Sequence, residues 1–105
     1  MGKSLASVFA ELGANLLITC KTSDQLKFFC QDLQIRKSIK CESLIFDALD
    51  YSSHLKFYSQ LKNKPNIVIT CIGYLDDQKK SEKHFEEANI SICSNYLGLV
   101  SIINV

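Results

Sequence analysis

Three short places in the chain carry residue types that can hold an anionic, hydrogen-bonding ligand. Cys20–Lys21 offers a cation, Asp47–Ala48 an acceptor, and Cys71–Ile72–Gly73 a stretch of backbone with a bare α-carbon. Each lies at the end of an apolar run: NLLITC at 15–20, SLIFD at 43–47 and NIVITC at 66–71. In an open parallel sheet, ligands bind outside the carboxyl ends of the strands. A cation, an acceptor and an accessible backbone edge at such ends suit a nucleotide. Glycine contributes because it lets a ligand approach, or a tight turn form, at little steric cost. None of the three is specific alone, since a strand-end Asp often serves only as a turn or helix cap.

The elements that must position these residues alternate along the chain. Residues 3–12 place Leu5, Val8, Phe9 and Leu12 at i, i+3, i+4 and i+7, one apolar stripe of a helix. Gly13 follows where a left-handed C-terminal residue is wanted. Asn15–Cys20 then reads as a short strand buried on both faces. Thr22 followed by Gln25 fits a capping box, opening a helix through Leu26, Phe29, Cys30 and Leu33. The unit repeats, with Ser43–Asp47 as a second buried strand and Asp50 or Ser52 capping a helix that carries Leu55, Tyr58 and Leu61. Asn66–Cys71 is expected as a third strand, with Pro65 just before it, where a missing N–H costs least. A polar loop, DDQKKSEK, comes next, and Phe85, Ala88, Ile92, Tyr96, Leu99 and Ile103 then share a helical stripe. The order αβαβαβα predicts an α/β fold around a parallel sheet.

Composition excludes several function classes. At 105 residues the chain is expected to form a single domain, residues 1–105. With 47% hydrophobic and 22% charged residues, it is too apolar for disorder. Lys+Arg 12 against Asp+Glu 11 gives no basic excess, so no nucleic-acid partner is expected. The longest apolar stretch, YLGLVSIINV, is shorter than the roughly 20 residues that span a bilayer, so no membrane partner is expected either. Five cysteines form no C-x-x-C and no tight Cys/His cluster, which argues against a metal site and for small buried hydrophobes in a reduced cytosol. Glu11 and Asn15 interrupt what would be the core of a signal peptide, and Ala6 breaks the myristoylation pattern. A cytoplasmic chain is therefore expected. His54 and His84 stand beside polar residues and are expected in solvent, and the sequon Asn89–Ile90–Ser91 has no role in a cytosolic protein.

GKSLASVFAELGANLLITCK, FDALDYS, NIVITCIGYL and SNYLGLVSIINV follow one another in an order and spacing that resembles the short-chain dehydrogenases/reductases over nearly the whole chain. The first segment resembles that family's first helix and second strand, with Gly2 where the last glycine of the phosphate loop stands. The second resembles the segment with the strand-end acid; its counterpart, Asp47, would contact the adenine, with Ala48 beside it. The third resembles the segment that usually reads Asn-Asn-Ala-Gly. Thr70, Cys71, Ile72 and Gly73 stand there instead, so only the glycine is kept. In the fourth, Asn95 matches the catalytic-helix asparagine, which in the family bends its helix and holds a water in the proton relay, and Gly98 matches its companion. The resemblance thus implies cofactor contacts at Gly2, Lys21, Asp47, Ala48, Cys71 and Gly73, and a catalytic role for Asn95. Members that use NAD tend to carry an acid after the second strand, for the ribose 2′-hydroxyl. Here Cys20–Lys21 stands instead, and a lysine there favours a 2′-phosphate, hence NADP rather than NAD.

The resemblance implies an incomplete Rossmann-like, doubly wound parallel sheet lacking its first strand, which in the spatial order 3-2-1-4 lies between the second and fourth. That strand and the first two phosphate-loop glycines are expected before Gly2. The catalytic Ser and Tyr-x-x-x-Lys are expected after Val105, since neither Tyr74 nor Tyr96 has a Lys four residues on. The chain is expected not to transfer hydride alone. It would act on an unidentified small molecule only when completed by complementary fragments or by self-association. Rival readings are a receiver-like module using Asp47 and Thr70, which would lack its acidic pair and late Lys, a stand-alone interaction module, and the product of a decayed gene. A sheet without its first strand exposes edges and apolar faces, so the isolated chain is expected to be marginally stable. Thermal unfolding checks this: a broad, low melt is expected, and a sharp cooperative melt of soluble monomer would contradict it.

Overall fold

The computed structural model describes every residue except Ser23 and Asp76. The chain divides into two units, Met1–Asp47 and Ala48–Val105.

In the first unit, α1 (Gly2–Glu11), β1 (Leu16–Cys20), α2 (Asp24–Lys37) and β2 (Cys41–Ile45) follow in order. The two strands pair in parallel, from Leu16 opposite Cys41 to Cys20 opposite Ile45. The ladder is pinned at both ends. Lys40 N donates to the Asn15 side-chain oxygen at 3.0 Å, and Phe46 N donates to Cys20 O at 2.9 Å. The expected apolar stripe of α2 is the one that packs, with Leu26, Cys30 and Leu33 buried. With Ala10, Ile39 and Cys41 they make the core, against which Ala6, Leu16, Ile18, Cys20 and Phe29 pack. Burial of a leucine such as Leu33, which is wholly inaccessible, stabilises by about 1.5–3 kcal/mol.

Three expectations for this unit change. Helix α1 turns Ala6 and Ala10 inward and leaves Val8 and Leu12 exposed, because the alanine methyls allow a close approach that larger side chains would block. β2 runs two residues earlier than the apolar pattern of 43–47 suggests. Neither strand is buried on both faces: Thr19, Glu42 and Ile45 are exposed, as a sheet of two strands leaves much of itself uncovered. Gly13 takes the expected left-handed conformation at φ 83°, its N–H donating to Ala10 O at 3.0 Å. Helix α2 opens at Asp24, and Ser23, between it and the expected cap Thr22, lies outside the described residues. Cys30 and Cys41 are the buried thiols, and burial, then the neighbouring Cys30, pushes the Cys41 thiol up to about 12.

The second unit contains α3 (Tyr51–Gln60), α4 (Gln78–Ser81), α5 (Phe85–Ile92), a π-helical turn (Cys93–Leu97) and α6 (Gly98–Ile103). Asp50 precedes α3, its carboxylate accepting from the Ser52 hydroxyl at 2.6 Å, which holds that carboxyl below its ordinary range. The inward face of α3 is His54, Phe57 and Tyr58, with Leu61 half-buried just past its end, whereas Leu55 is exposed. His54 is thus completely buried, not solvated, with Nδ1 2.8 Å from Ser101 Oγ. His84 is exposed as expected. Part of the polar stretch forms α4, capped by the Asp77 carboxylate on Lys79 N at 3.0 Å, while Asp76 lies outside the described residues. The π turn shifts the following residues round the helix. Of the expected stripe, Phe85 and Ile92 before that turn, Tyr96 within it and Ile103 after it are exposed, while Gly98 is buried.

The third strand is not present. Residues 66–71 enter no ladder, and Ile67, Val68 and Ile69 are 70%, 67% and 50% exposed. A strand exists only through a neighbour's hydrogen bonds, and among the described residues the regular elements of this unit are all helical. Cys71, expected as a buried hydrophobe, is exposed with it. Among the described residues no helix is long and apolar enough to cross a membrane.

Two glycine-related positions give testable consequences. A Cβ on Gly98 would lie 2.5 Å from Ala48 O and 2.9 Å from Ala48 Cβ, so α6 starts against Ala48 only because residue 98 has no side chain. Gly98→Ala is expected to lower stability by about 1–3 kcal/mol, as overpacking does, read as a lower urea midpoint. Conversely, Ser38 holds φ 54° at the end of α2, a region that costs a non-glycine residue about 1 kcal/mol. Ser38→Gly is expected to raise the urea midpoint, and an unchanged or lower midpoint contradicts the strain.

Candidate functional site

In the first unit the ladder register decides what meets at the carboxyl ends of the strands. Cys20 is the last residue of β1 and lies opposite Ile45. Lys21 is one residue beyond the first, Asp47 two beyond the second, and their side chains meet, Lys21 Nζ lying 3.6 Å from Asp47 Oδ2. The turn after β1 is held locally by the Cys20 thiol, which donates to Thr22 O. Lys21 is 69% and Asp47 36% exposed, so the pair is a surface ion pair in contact with water. Such pairs contribute at most about 1 kcal/mol.

The orientation of α1 follows from two contacts. Lys3 Nζ stands 5.6 Å from the centroid of the Phe29 ring, near the start of α2, and Glu11 pairs at 3.4 Å with Lys37, the last residue of α2. The two helices therefore run the same way. Because α2 leaves from the carboxyl end of β1 and returns to the start of β2, the first residue of α1, Gly2, lies on the carboxyl side of the sheet. The unpaired N–H groups of the helix start carry partial positive charge there. The unit thus brings a helix N-terminus, a lysine and a carboxylate to one side of a parallel ladder. This donor set suits a phosphorylated nucleoside: charge for the phosphate, an acceptor for amino or hydroxyl groups.

The second unit holds the other sequence-predicted residues. Asn95 lies inside the π turn, where the resemblance implies a bent helix. Its side chain clamps Tyr74 from both sides of the peptide: Tyr74 N donates to Asn95 Oδ1 at 2.7 Å, and Asn95 Nδ2 donates to Tyr74 O at 2.9 Å. The Tyr51 hydroxyl donates to Cys93 O at 3.1 Å and fixes the same turn from α3. Gly73, next to the clamped residue, is exposed, its φ is not left-handed, and nothing lies within 4 Å of the place its Cβ would take. No turn demands this glycine, so what it provides is open room over the backbone. Cys71 is exposed nearby in sequence, and Ala48 is buried against Gly98.

Sequence reasoning missed two of these features. The Lys21–Asp47 contact depends on register, which no single segment encodes. The Asn95–Tyr74 clamp joins residues 21 apart, and neither residue type announces it. His54 was legible in principle, since His54, Phe57, Tyr58 and Leu61 have the same i, i+3, i+4, i+7 spacing as an apolar stripe.

No protein-family model matches the chain, and no curated protein sequence does. Solved structures do. A bulky-bulky ketone specific alcohol dehydrogenase from Comamonas testosteroni superposes with TM-score 0.82 at 14% identity, over 96% of this chain and 41% of that one. An alcohol dehydrogenase from the archaeon Thermococcus sibiricus, complexed with 5-hydroxy-NADP, gives TM-score 0.78 at 19% identity, over 98% and 45%. A short-chain dehydrogenase from Sphingobium yanoikuyae, in complex with NADPH, gives 0.71 at 16% identity, over 98% and 41%. The chain spans less than half the length of each of these proteins. In fold it is an α/β chain similar to part of these dehydrogenases, an incomplete Rossmann-like arrangement with a two-stranded parallel sheet.

Proposed function

We propose that the chain is the nucleotide-binding portion of a short-chain dehydrogenase/reductase-type oxidoreductase that uses NADP in preference to NAD. The observation that carries this reading is the placing of Lys21 and Asp47 together at the carboxyl ends of β1 and β2, on the side where α1 begins. Lys21 would hold the 2′-phosphate as a point charge, and Asp47 would accept a hydrogen bond from the adenine amino group. The amide end of α1 at Gly2 suits a pyrophosphate. In the second unit, the resemblance gives backbone contacts with the cofactor to Ala48, Cys71 and Gly73. The space around Gly73 supports this for that residue. Asn95, through its clamp on Tyr74, would keep the segment beside Gly73 in place while serving the proton relay. A bound nicotinamide supplies the hydride donor or acceptor.

The proton donor would come from the family's Ser and Tyr-x-x-x-Lys, which follow the asparagine helix; Tyr58 and Lys62 have that spacing but precede Asn95. The chain would therefore bind cofactor without turning over a substrate, itself a small molecule, until complementary segments or a second copy complete it. Five free thiols suit a reducing cytoplasm. Calorimetric titration with NADPH and NADH tests the reading. NADPH is expected to bind about tenfold tighter, since one charge-assisted phosphate contact is worth roughly 1.5–3 kcal/mol. Lys21→Gln should erase that preference. Equal affinities for the two cofactors in the unaltered chain, or no binding of either, overturn it.

A further inference from the structure

We propose that Asp47 is an internal counter-ion to Lys21 that weakens recognition of a 2′-phosphate, so that this carboxylate sets how strongly the chain discriminates between the phosphorylated and unphosphorylated adenosine. The inference rests on the nucleotide-binding reading above and assigns Asp47 a second role there. Its basis is geometric. Lys21 Nζ lies 3.6 Å from Asp47 Oδ2, close enough for the lysine charge to be partly engaged before any ligand arrives. A phosphate oxygen in charge-assisted contact with Nζ lies about 3 Å from it. Given the 3.6 Å pair, that oxygen can be no more than about 6.6 Å from the carboxylate oxygen if the pair stays as it is. This is within the Debye length of about 8–10 Å at ordinary ionic strength. The phosphate must therefore either displace Asp47 from Lys21 or share the lysine with it. Both cost affinity, and neither cost arises for an adenosine with a free 2′-hydroxyl.

The exposure of the two side chains sets the size of the effect. At 69% and 36% exposed, the pair is worth at most about 1 kcal/mol, a factor of about five, and relief from direct repulsion adds to it. The discrimination ratio is the affinity for adenosine 2′,5′-bisphosphate divided by that for adenosine 5′-monophosphate. Taking a ratio removes any loss of adenine contact, which the two nucleotides share.

The experiment measures both nucleotides by calorimetry against the full chain and against Asp47→Asn, Asp47→Ser, Lys21→Gln and the Lys21→Gln/Asp47→Asn pair. Matched circular dichroism and thermal melts establish that each variant keeps its fold, and the two Asp47 variants guard against one of them failing to fold. Asp47→Asn is expected to raise the ratio about three- to tenfold at low salt, with the gain shrinking toward 0.5 M salt as screening removes the charge effect. In the Lys21→Gln background the same change is expected to give a clearly smaller gain. An unchanged ratio overturns the proposal, and so does a lowered one, which would mean that Asp47 positions the lysine. An equal gain with and without Lys21 overturns it too, since Asp47 would then act on the phosphate alone. If neither nucleotide binds the unaltered chain, the nucleotide-binding reading itself fails and this inference with it.

Discussion

The parallel register of β1 against β2 is the constraint on which the chemistry of the first unit depends. Cys20 opposite Ile45 puts Lys21 one residue and Asp47 two residues beyond the ladder, and their contact follows from that alignment. Because side chains alternate with a period of two, slipping the pairing by one residue would turn β2 over. Cys41 would then leave the core for solvent, and Asp47 would leave Lys21. Two features hold the register. The apolar stripe of α2 seats Leu26, Cys30 and Leu33 over both strands, and the Asn15 side chain fixes the start of the ladder through Lys40 N. The ion pair is a consequence of this packing and too exposed to be a cause of it.

The second unit solves a different problem, since among its described residues there are helices but no ladder. Its order comes from a few contacts between residues distant in sequence. His54 meets Ser101, Tyr51 holds Cys93 O, Asn95 clamps Tyr74, and Gly98 admits Ala48. A buried histidine is tolerated because its ring nitrogen has a hydroxyl partner, which avoids the penalty of an unsatisfied polar group. Against this, Ile67, Val68 and Ile69 stand in solvent. That apolar segment, like Leu75, Phe85 and Ile103, is left uncovered by the unit's own packing. The mixture fits a chain that spans less than half of the dehydrogenases whose fold it shares.

What could be read from the sequence divides along the same line. Helix α2 was legible because Leu26, Phe29, Cys30 and Leu33 repeat at 3.6 residues and α2 presses that stripe directly on the sheet. Helix α1 was legible as a helix, but its inward face only in part. Of the stripe Leu5, Val8, Phe9 and Leu12, Leu5 and Phe9 are half-buried and Val8 and Leu12 exposed, while close packing adds Ala6 and Ala10. The run NIVITC has every local mark of a buried strand, yet a run of residues cannot supply the neighbour that makes it one. The histidine of α3 was misread because composition beside it in sequence stood in for its position on the helix.

The candidate site shows the same limit more sharply. Residue types at strand ends pointed to Lys21 and Asp47 as nucleotide ligands, and the fold does place both at the carboxyl ends. The sequence treats them as two independent offers to a ligand, a cation and an acceptor. The structure makes them partners, and a partnered lysine is not the same ligand as a free one. Their exposure matters to this, because a buried pair would be costly to break and would serve only structure. A hydrated pair at 3.6 Å costs little to open. A dianionic phosphate brings more charge than the carboxylate and can take the lysine from it, whereas a hydroxyl cannot. Under the nucleotide-binding reading, Lys21 would therefore supply the selectivity, and what the lysine must give up would limit it.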